Sequence, residues 1–438
     1  MTSGSPRLTV PGLAVMCALA LTACTAASPG PTESPRSAGT ASDSGILPGY
    51  QRVTKDEFSP LIITVLAPEP IPLKGSDNTF YVAYDLSVFN DAPRDATMTK
   101  IDTLAGNENG AVIGSLDEKQ IAANTLLTGD YSAAAAGSAV IPAGRTVIVS
   151  FRDVYPTKNA VPATFTHRIS ATFAPPKPGQ ATIASKYPGQ VAQIGDAVTV
   201  SSQSPIVIGP PLAGAGWFAS NGLESGALNN HSNVVLPVGG RVNAAEQFAI
   251  DFIRIDPTAD PATASTHGDP ARNTSYLAFD QPIIAVANAT VVTVISDQPD
   301  ATPQLAPDGI PSLSQDFDPP LDLYTGNVVI LDLGKGIYAL YAHMKQGSAI
   351  VKVGDTVKKG QEIGRVGNSG NSSEVHLHFQ LQRGPLPLTA DNVPWVIDSF
   401  TADGTFTATG RVKTPTPGPR TNEIPVGNSI STFPTPRH

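Results

Sequence analysis

Apolar and polar residues alternate with a period of two along most of the chain, as in strands that bury one face and expose the other. LIITVL (61–66), FYVAYDLSVF (80–89), TVIVSF (146–151) and ATFTHRISATF (163–173) form a first group, separated by Gly, Asn, Asp and Pro turns. A second group comprises FAIDFIRID, PIIAVANATVVTVISD, NVVILDLGKGIYALYAHM and VHLHFQLQ. The pattern predicts an all-β chain, with an N-terminal immunoglobulin-like sandwich over 50–174 and a C-terminal antiparallel β-sheet body over 215–400. Residues 175–214, rich in Pro, Gly and Ser, read as a linker. Residues 298–326, loaded with Pro and Asp, read as a long loop inside the second body. The polar, Pro-studded stretch 401–438 reads as a disordered tail.

Composition fits this picture. The 438 residues include 39 Gly and 41 Pro, which favour turns and short strands over long helices. With 37 acidic against 28 basic residues and no basic cluster, nucleic acid is excluded as an expected partner.

The N-terminus suggests export. Arg7 supplies a positive start, and the apolar run Leu8 to Leu21 is too short to span a bilayer stably. It closes in Leu21-Thr22-Ala23-Cys24, which resembles a bacterial lipobox; an ordinary signal peptide with a chance cysteine is the alternative. The expectation is a signal peptide over 1–23, lipidation of Cys24, and anchoring to the outer face of the cell membrane. Residues 25–45 have almost no large apolar side chain, and 24–49 read as a flexible tether. Both cysteines, Cys17 and Cys24, lie in this leader, so the body has no disulfide to draw on.

Candidate chemistry centres on His376-Leu377-His378. Residues two apart on a strand share a face, so both imidazoles point the same way. By itself such a pair is weak evidence, and two half-buried histidines would look the same. The surrounding run GDTVKKGQEIGRVGNSGNSSEVHLHFQL, with His343 upstream in YALYAHM and the strand IIAVANATVV, resembles the LytM/lysostaphin-like zinc metallopeptidases over about 230–383.

That resemblance implies a LytM-like C-terminal domain and a set of roles. In the family, zinc is held by the His and Asp of a His-x-x-x-Asp motif and by the second His of His-x-His. Asp251 and His378 match two of these ligands, and His343 and His376 match the two histidines that serve catalysis. Zinc acidifies water and polarises the scissile carbonyl; one histidine accepts a proton and the other steadies the oxyanion. The third ligand position is occupied by Gln247, four residues before Asp251, and an amide oxygen is a poor zinc ligand. Glu246 is a better donor but would face away from Asp251 in an extended strand. His231 would have to fold in from a polar loop, where a surface position is the plainer expectation. His167, His267 and His438 lie outside the pattern.

The implied function is a zinc endopeptidase cutting peptide cross-links of peptidoglycan. The alternatives are a degenerate LytM-like module that binds the wall or regulates another hydrolase, and an envelope lipoprotein using the fold as a scaffold. The N-terminal sandwich is expected to be a spacer or a docking module for an envelope protein.

Overall fold

The computed structural model describes residues 58–436 except 67–69, 130–136, 180–185, 225–228, 230, 304–322, 408–409 and 413–416. The expected signal peptide, the tether and Cys24 lie outside the described residues, as does most of the 298–326 insertion. The fold is almost entirely β.

The N-terminal body is a pair of antiparallel sheets. One contains strands Leu61–Val65, Phe80–Asn90, Thr146–Tyr155 and Thr125–Leu127; the other contains Gln190–Ile194, Thr164–Phe173, Ala96–Ala105 and Val112–Asp117. Their inner faces meet in one core, where Val82, Tyr84, Leu86 and Val88 pack with Met98, Ile101, Phe165 and Ile169. The alternation in FYVAYDLSVF therefore has a direct cause, since every second side chain enters this core. The expected linker 175–214 is more than a connection. Gln190–Ile194 and Val198–Thr199 pair with the 164–173 strand, and Ile206–Ile208 runs parallel to Trp395–Ile397.

The C-terminal body is built on an eleven-stranded sheet. At its centre, Ile337–Met344, Leu377–Gln382, Ile250–Arg254 and Gly214–Ser220 lie side by side. Phe252, Ile250, Leu377, Phe379, Leu381 and Tyr341 face one way into the main core. By the period-two rule, Asp251, His378, Gln380 and Gln382 emerge on the opposite face.

The expected disordered tail is corrected by the structure. Phe400–Thr407 and Ser429–Phe433 belong to the same sheet, with 429–433 lying between 214–220 and 400–407. FTADGTFT alternates buried and part-exposed positions, and Phe433 packs edge-on against Phe252 and also against Phe400. Burying one such ring is worth about 1.5–3 kcal/mol, enough to hold a short strand despite the intervening prolines.

The two bodies touch. Leu73 and Tyr81 join the core formed by Trp395, Ile424 and Val426. Backbone bonds from Ser76 N to Ile424 O and from Ile424 N to Lys74 O, both 2.9 Å, stitch the contact.

Candidate metal centre and active site

The site assembles from strand register. Asp251 sits directly opposite His378, which sits opposite Ala342, while Ser220 sits opposite Asp251. Cross-strand partners point to the same side, so Asp251 and His378 meet with 3.0 Å between Oδ1 and Nδ1.

His343 needs a special backbone to join them. Strict alternation along 337–344 would send it with Ala339 and Tyr341 into the core. The strand instead slips register between the Asn327 and Val329 pairings, and His343 takes a φ of 57°. A bulge of this kind re-aims one side chain, and a left-handed non-glycine residue is a strain typical of functional sites. The His343 ring then lies tilted against His376 at 4.8 Å and edge-on to His378 at 5.9 Å, between ring centroids. The Gly-Asn-Ser-Gly turn backs it. A side chain on Gly370 would come within 2.3 Å of Gly326 N, so glycine lets the two chains touch and brings the Ser369 carbonyl under the imidazole.

His231 is the residue the sequence pattern did not point to. It sits in a single turn, His231–Asn233, and is 7% exposed. Its Nε2 lies 3.1 Å from Asp251 Oδ2, and its ring meets His378 edge-on at 4.8 Å. Asn221 donates to the same carboxylate oxygen at 2.8 Å. The donor atoms of His231, Asp251 and His378 all lie within 4.8 Å of one another.

Gln247 is placed differently from its expected role. Residues 245–248 form a turn and the strand begins only at Ile250, so the four-residue spacing does not put Gln247 on the face of Asp251. Its amide nitrogen donates to Asp85 Oδ2 of the N-terminal body at 3.2 Å. Glu246 Oε1 stays 3.8 Å from His378 Nε2, outside hydrogen-bond range.

Each imidazole is anchored through one nitrogen and offers the other. His231 Nδ1 donates to the Asn221 and Ala249 carbonyls at 3.0 and 3.2 Å. His343 Nδ1 donates to Ser369 O at 2.8 Å, and His376 Nδ1 donates to Glu374 O at 2.8 Å. His378 Nε2 donates to Gln380 Oε1 at 2.9 Å. The Gln380 amide is fixed in turn, because its Nε2 donates to Ala245 O and to Gln382 Oε1. Carbonyl acceptors compel a proton on the facing nitrogen, so the tautomers follow from the bonding. His231 Nε2 and His378 Nδ1 present lone pairs beside Asp251.

Without an ion, the Asp251 carboxylate draws protons onto the neighbouring imidazoles, and a bound metal would displace the one on His231 Nε2. Burial opposes ionisation of Asp251, but the His231 and His376 charges hold its carboxyl well below the usual range. Burial likewise pulls His231 down, and the Asp251 carboxylate overrides it, raising the imidazole to about 9. His376 is raised for the same reason against the same opposition. His343 falls far below the ordinary histidine range, through burial first and the neighbouring His376 and His378 next. Two imidazole nitrogens and a carboxylate oxygen, buried and convergent, are the donor set of a three-ligand catalytic zinc site, and the residues present therefore fit that ion.

Such a donor set, flanked by two further histidines on a β-sheet, could hold a metal ion beside two groups able to carry a proton. Residues 276–390 match the profile of Peptidase family M23, so the chain carries an M23 domain. The matched span includes His343, His376 and His378 but ends short of His231 and Asp251. Peptidoglycan DD-endopeptidase ShyA of Vibrio cholerae is 37% identical over 73 residues, 16% of each protein. Murein hydrolase activator EnvC of Escherichia coli is 41% identical over 58 residues, 13% of each. The chain thus spans less than a fifth of the length of these relatives. Among solved structures, the catalytic domain of lysostaphin from Staphylococcus simulans aligns at 21% identity and a TM-score of 0.20, covering 36% of this chain and 80% of that one.

Proposed function

We propose that this chain is a zinc endopeptidase of the cell envelope that hydrolyses peptide cross-links of peptidoglycan. The observation that carries the reading is His231, which supplies beside Asp251 and His378 the third strong donor that Gln247 does not. The relatives' names, a peptidoglycan endopeptidase and a murein hydrolase activator, support the substrate class.

His231 Nε2, His378 Nδ1 and an Asp251 oxygen would hold the ion. Bound zinc supplies Lewis acidity toward water and toward the scissile carbonyl. His343, kept neutral by burial and with Nδ1 committed to Ser369 O, accepts a proton at Nε2. His376, whose Nδ1–H is fixed on Glu374 O and whose Nε2 lies 3.4 Å from Asp251 Oδ1, would present Nε2–H to negative charge developing on the carbonyl oxygen once the ion engages Asp251.

The purified chain should hold one zinc per molecule and release peptides from isolated sacculi, and His231→Ala should lose both. Full zinc occupancy in His231→Ala would sink the ligand assignment. Zinc binding without peptide release would favour the second reading, an activator of another hydrolase, which the EnvC match supports.

The same proposal places the chain outside the cell membrane, tethered by lipid on Cys24. Cys24→Ala should shift it from the membrane fraction to the soluble one, and unchanged fractionation would refute the anchor.

A further inference from the structure

We infer that the outer face of the N-terminal sandwich supports the metal site, because it clamps the 231–248 segment that carries His231. The inference rests on the zinc reading above and adds a role for the N-terminal body.

The C-terminal body holds residues 241–248 by polar contacts, with Asn392 N donating to Ala244 O at 3.1 Å and Arg241 paired with Asp391 at 2.8 Å, but it gives the hairpin no strand partner. After the loop that carries His231, the segment forms a hairpin of Val235–Val238 and Arg241–Ala244, closed by Gly239 and Gly240, both with positive φ. Among the described residues these two strands pair with each other and with no strand of the eleven-stranded sheet. An isolated two-stranded hairpin is marginal in water. A wandering hairpin would carry His231 at one end and the 245–248 turn at the other.

The N-terminal body supplies apolar packing for the hairpin. Leu126 and Ile148 form an apolar cluster with Val235, joined by Leu66 and Val242. Ile148 is 1% exposed, yet it takes no part in the sandwich core, which Val147 and Val149 enter from the other face of the same strand. A fully buried isoleucine on the outside of a sandwich shows a surface built to be covered.

A polar contact lies beside the apolar one. Asp85, held by Ser150 Oγ at 2.5 Å, accepts from Gln247 Nε2 at 3.2 Å. Asp85 and Ser150 are cross-strand partners, and Arg152 follows two residues along on the same face. Its buried guanidinium lies close enough to Asp85 and Glu224 to interact electrostatically with both. Glu224 belongs to the His231-bearing loop and accepts from Asn428 at 2.9 Å. Gln247 thus bonds to this sheet face directly, and Glu224 lies within electrostatic range of Arg152 on the same face. Gln247 is a positioning residue here, and its amide secures the turn that precedes Asp251.

Two full-length variants test this: Ile148→Asp, which disrupts the apolar contact, and Gln247→Met, which keeps bulk and removes the donor. Zinc affinity is read by competition with a chromogenic chelator, alongside circular dichroism and thermal unfolding. Ile148→Asp should weaken zinc on the order of 10–100-fold and Gln247→Met by less, as for other supporting groups. Adding His231→Ala to either variant should cost much less than in wild type, because both losses act through one ligand. Wild-type affinity in both folded variants, or fully additive losses, would overturn the clamp. Should Ile148→Asp not fold, Gln247→Met and its double variant decide alone. A wild-type chain that binds no zinc would instead overturn the zinc reading itself.

Discussion

His231 Nε2 and Asp251 Oδ2 lie 3.1 Å apart although a hairpin and a turn separate them in sequence. Asp251 is fixed by strand register opposite His378, whereas His231 reaches it only through the fold of a polar loop. The donor set thus combines two rigid strand residues with one whose position depends on neighbouring packing, and that asymmetry governs how substitutions around the site should behave.

On the rigid side, Gln380 decides which nitrogen of His378 is offered. Its Oε1 accepts from His378 Nε2, and the row His378, Gln380, Gln382 ends on the Gly384 and Leu386 carbonyls at 2.7 and 2.9 Å. Gln380→Leu should lower zinc affinity about 10–100-fold, the usual scale for groups that orient a ligand. Gln380→Glu, which keeps an acceptor, should recover most of the loss in the same competition assay. Equal affinity in the Leu variant would remove Gln380 from any role in orienting His378.

The strands were legible in the sequence because one buried face imposes a period of two, and His376 with His378 was legible for the same reason. His343 was found by resemblance alone; parity along its strand argues for the core, and only the bulge and the φ of 57° reverse it. His231 left no periodic signal, since His231–Asn233 folds as a single turn in a polar stretch. Gln247 was misplaced because a four-residue spacing means a shared face only inside a strand, and 245–248 is a turn. In the tail, TPTPGPR outweighed FTADGTFT and SISTF, whose alternation binds them to the main sheet.

Acid should weaken the N-terminal body through His167. Burial depresses this imidazole to about 3, and its Nε2 bonds Tyr84 Oη at 3.0 Å while Nδ1 has no partner among the described residues. The unfolded chain takes up a proton near pH 6.5, where the folded one does not. The unfolded state therefore binds more protons between pH 6.5 and 3, and stability falls as pH drops through that window, by up to about 1.4 kcal/mol per pH unit. Asp153, raised by burial to about 6, acts in the opposite sense between 3.8 and 6. The comparison is accordingly with His167→Phe, which retains Asp153. Denaturant titrations should show wild type losing stability relative to His167→Phe as pH falls below 6.5. Parallel pH curves would rule out His167 as the cause.

Gln247→His supplies the last prediction. Position alone would make this substitution the obvious repair, since it recreates His-x-x-x-Asp. The structure predicts otherwise. The 245–248 turn aims residue 247 at Asp85, and Phe248 N is pinned by Asn392 Oδ1 at 2.8 Å. His231 already stands beside Asp251, and zinc takes four ligands in all, one of which a catalytic site leaves open. Gln247→His should therefore bring no gain in zinc affinity, and a modest loss where it loosens the Asp85 contact. In a His231→Ala background it should fail to restore the ion, because the pinned turn keeps the new imidazole on the far side of the strand start. Zinc returning to one per molecule in that double variant would mean that the turn can swing residue 247 into the site, and that His231 and position 247 are interchangeable sources of the third ligand.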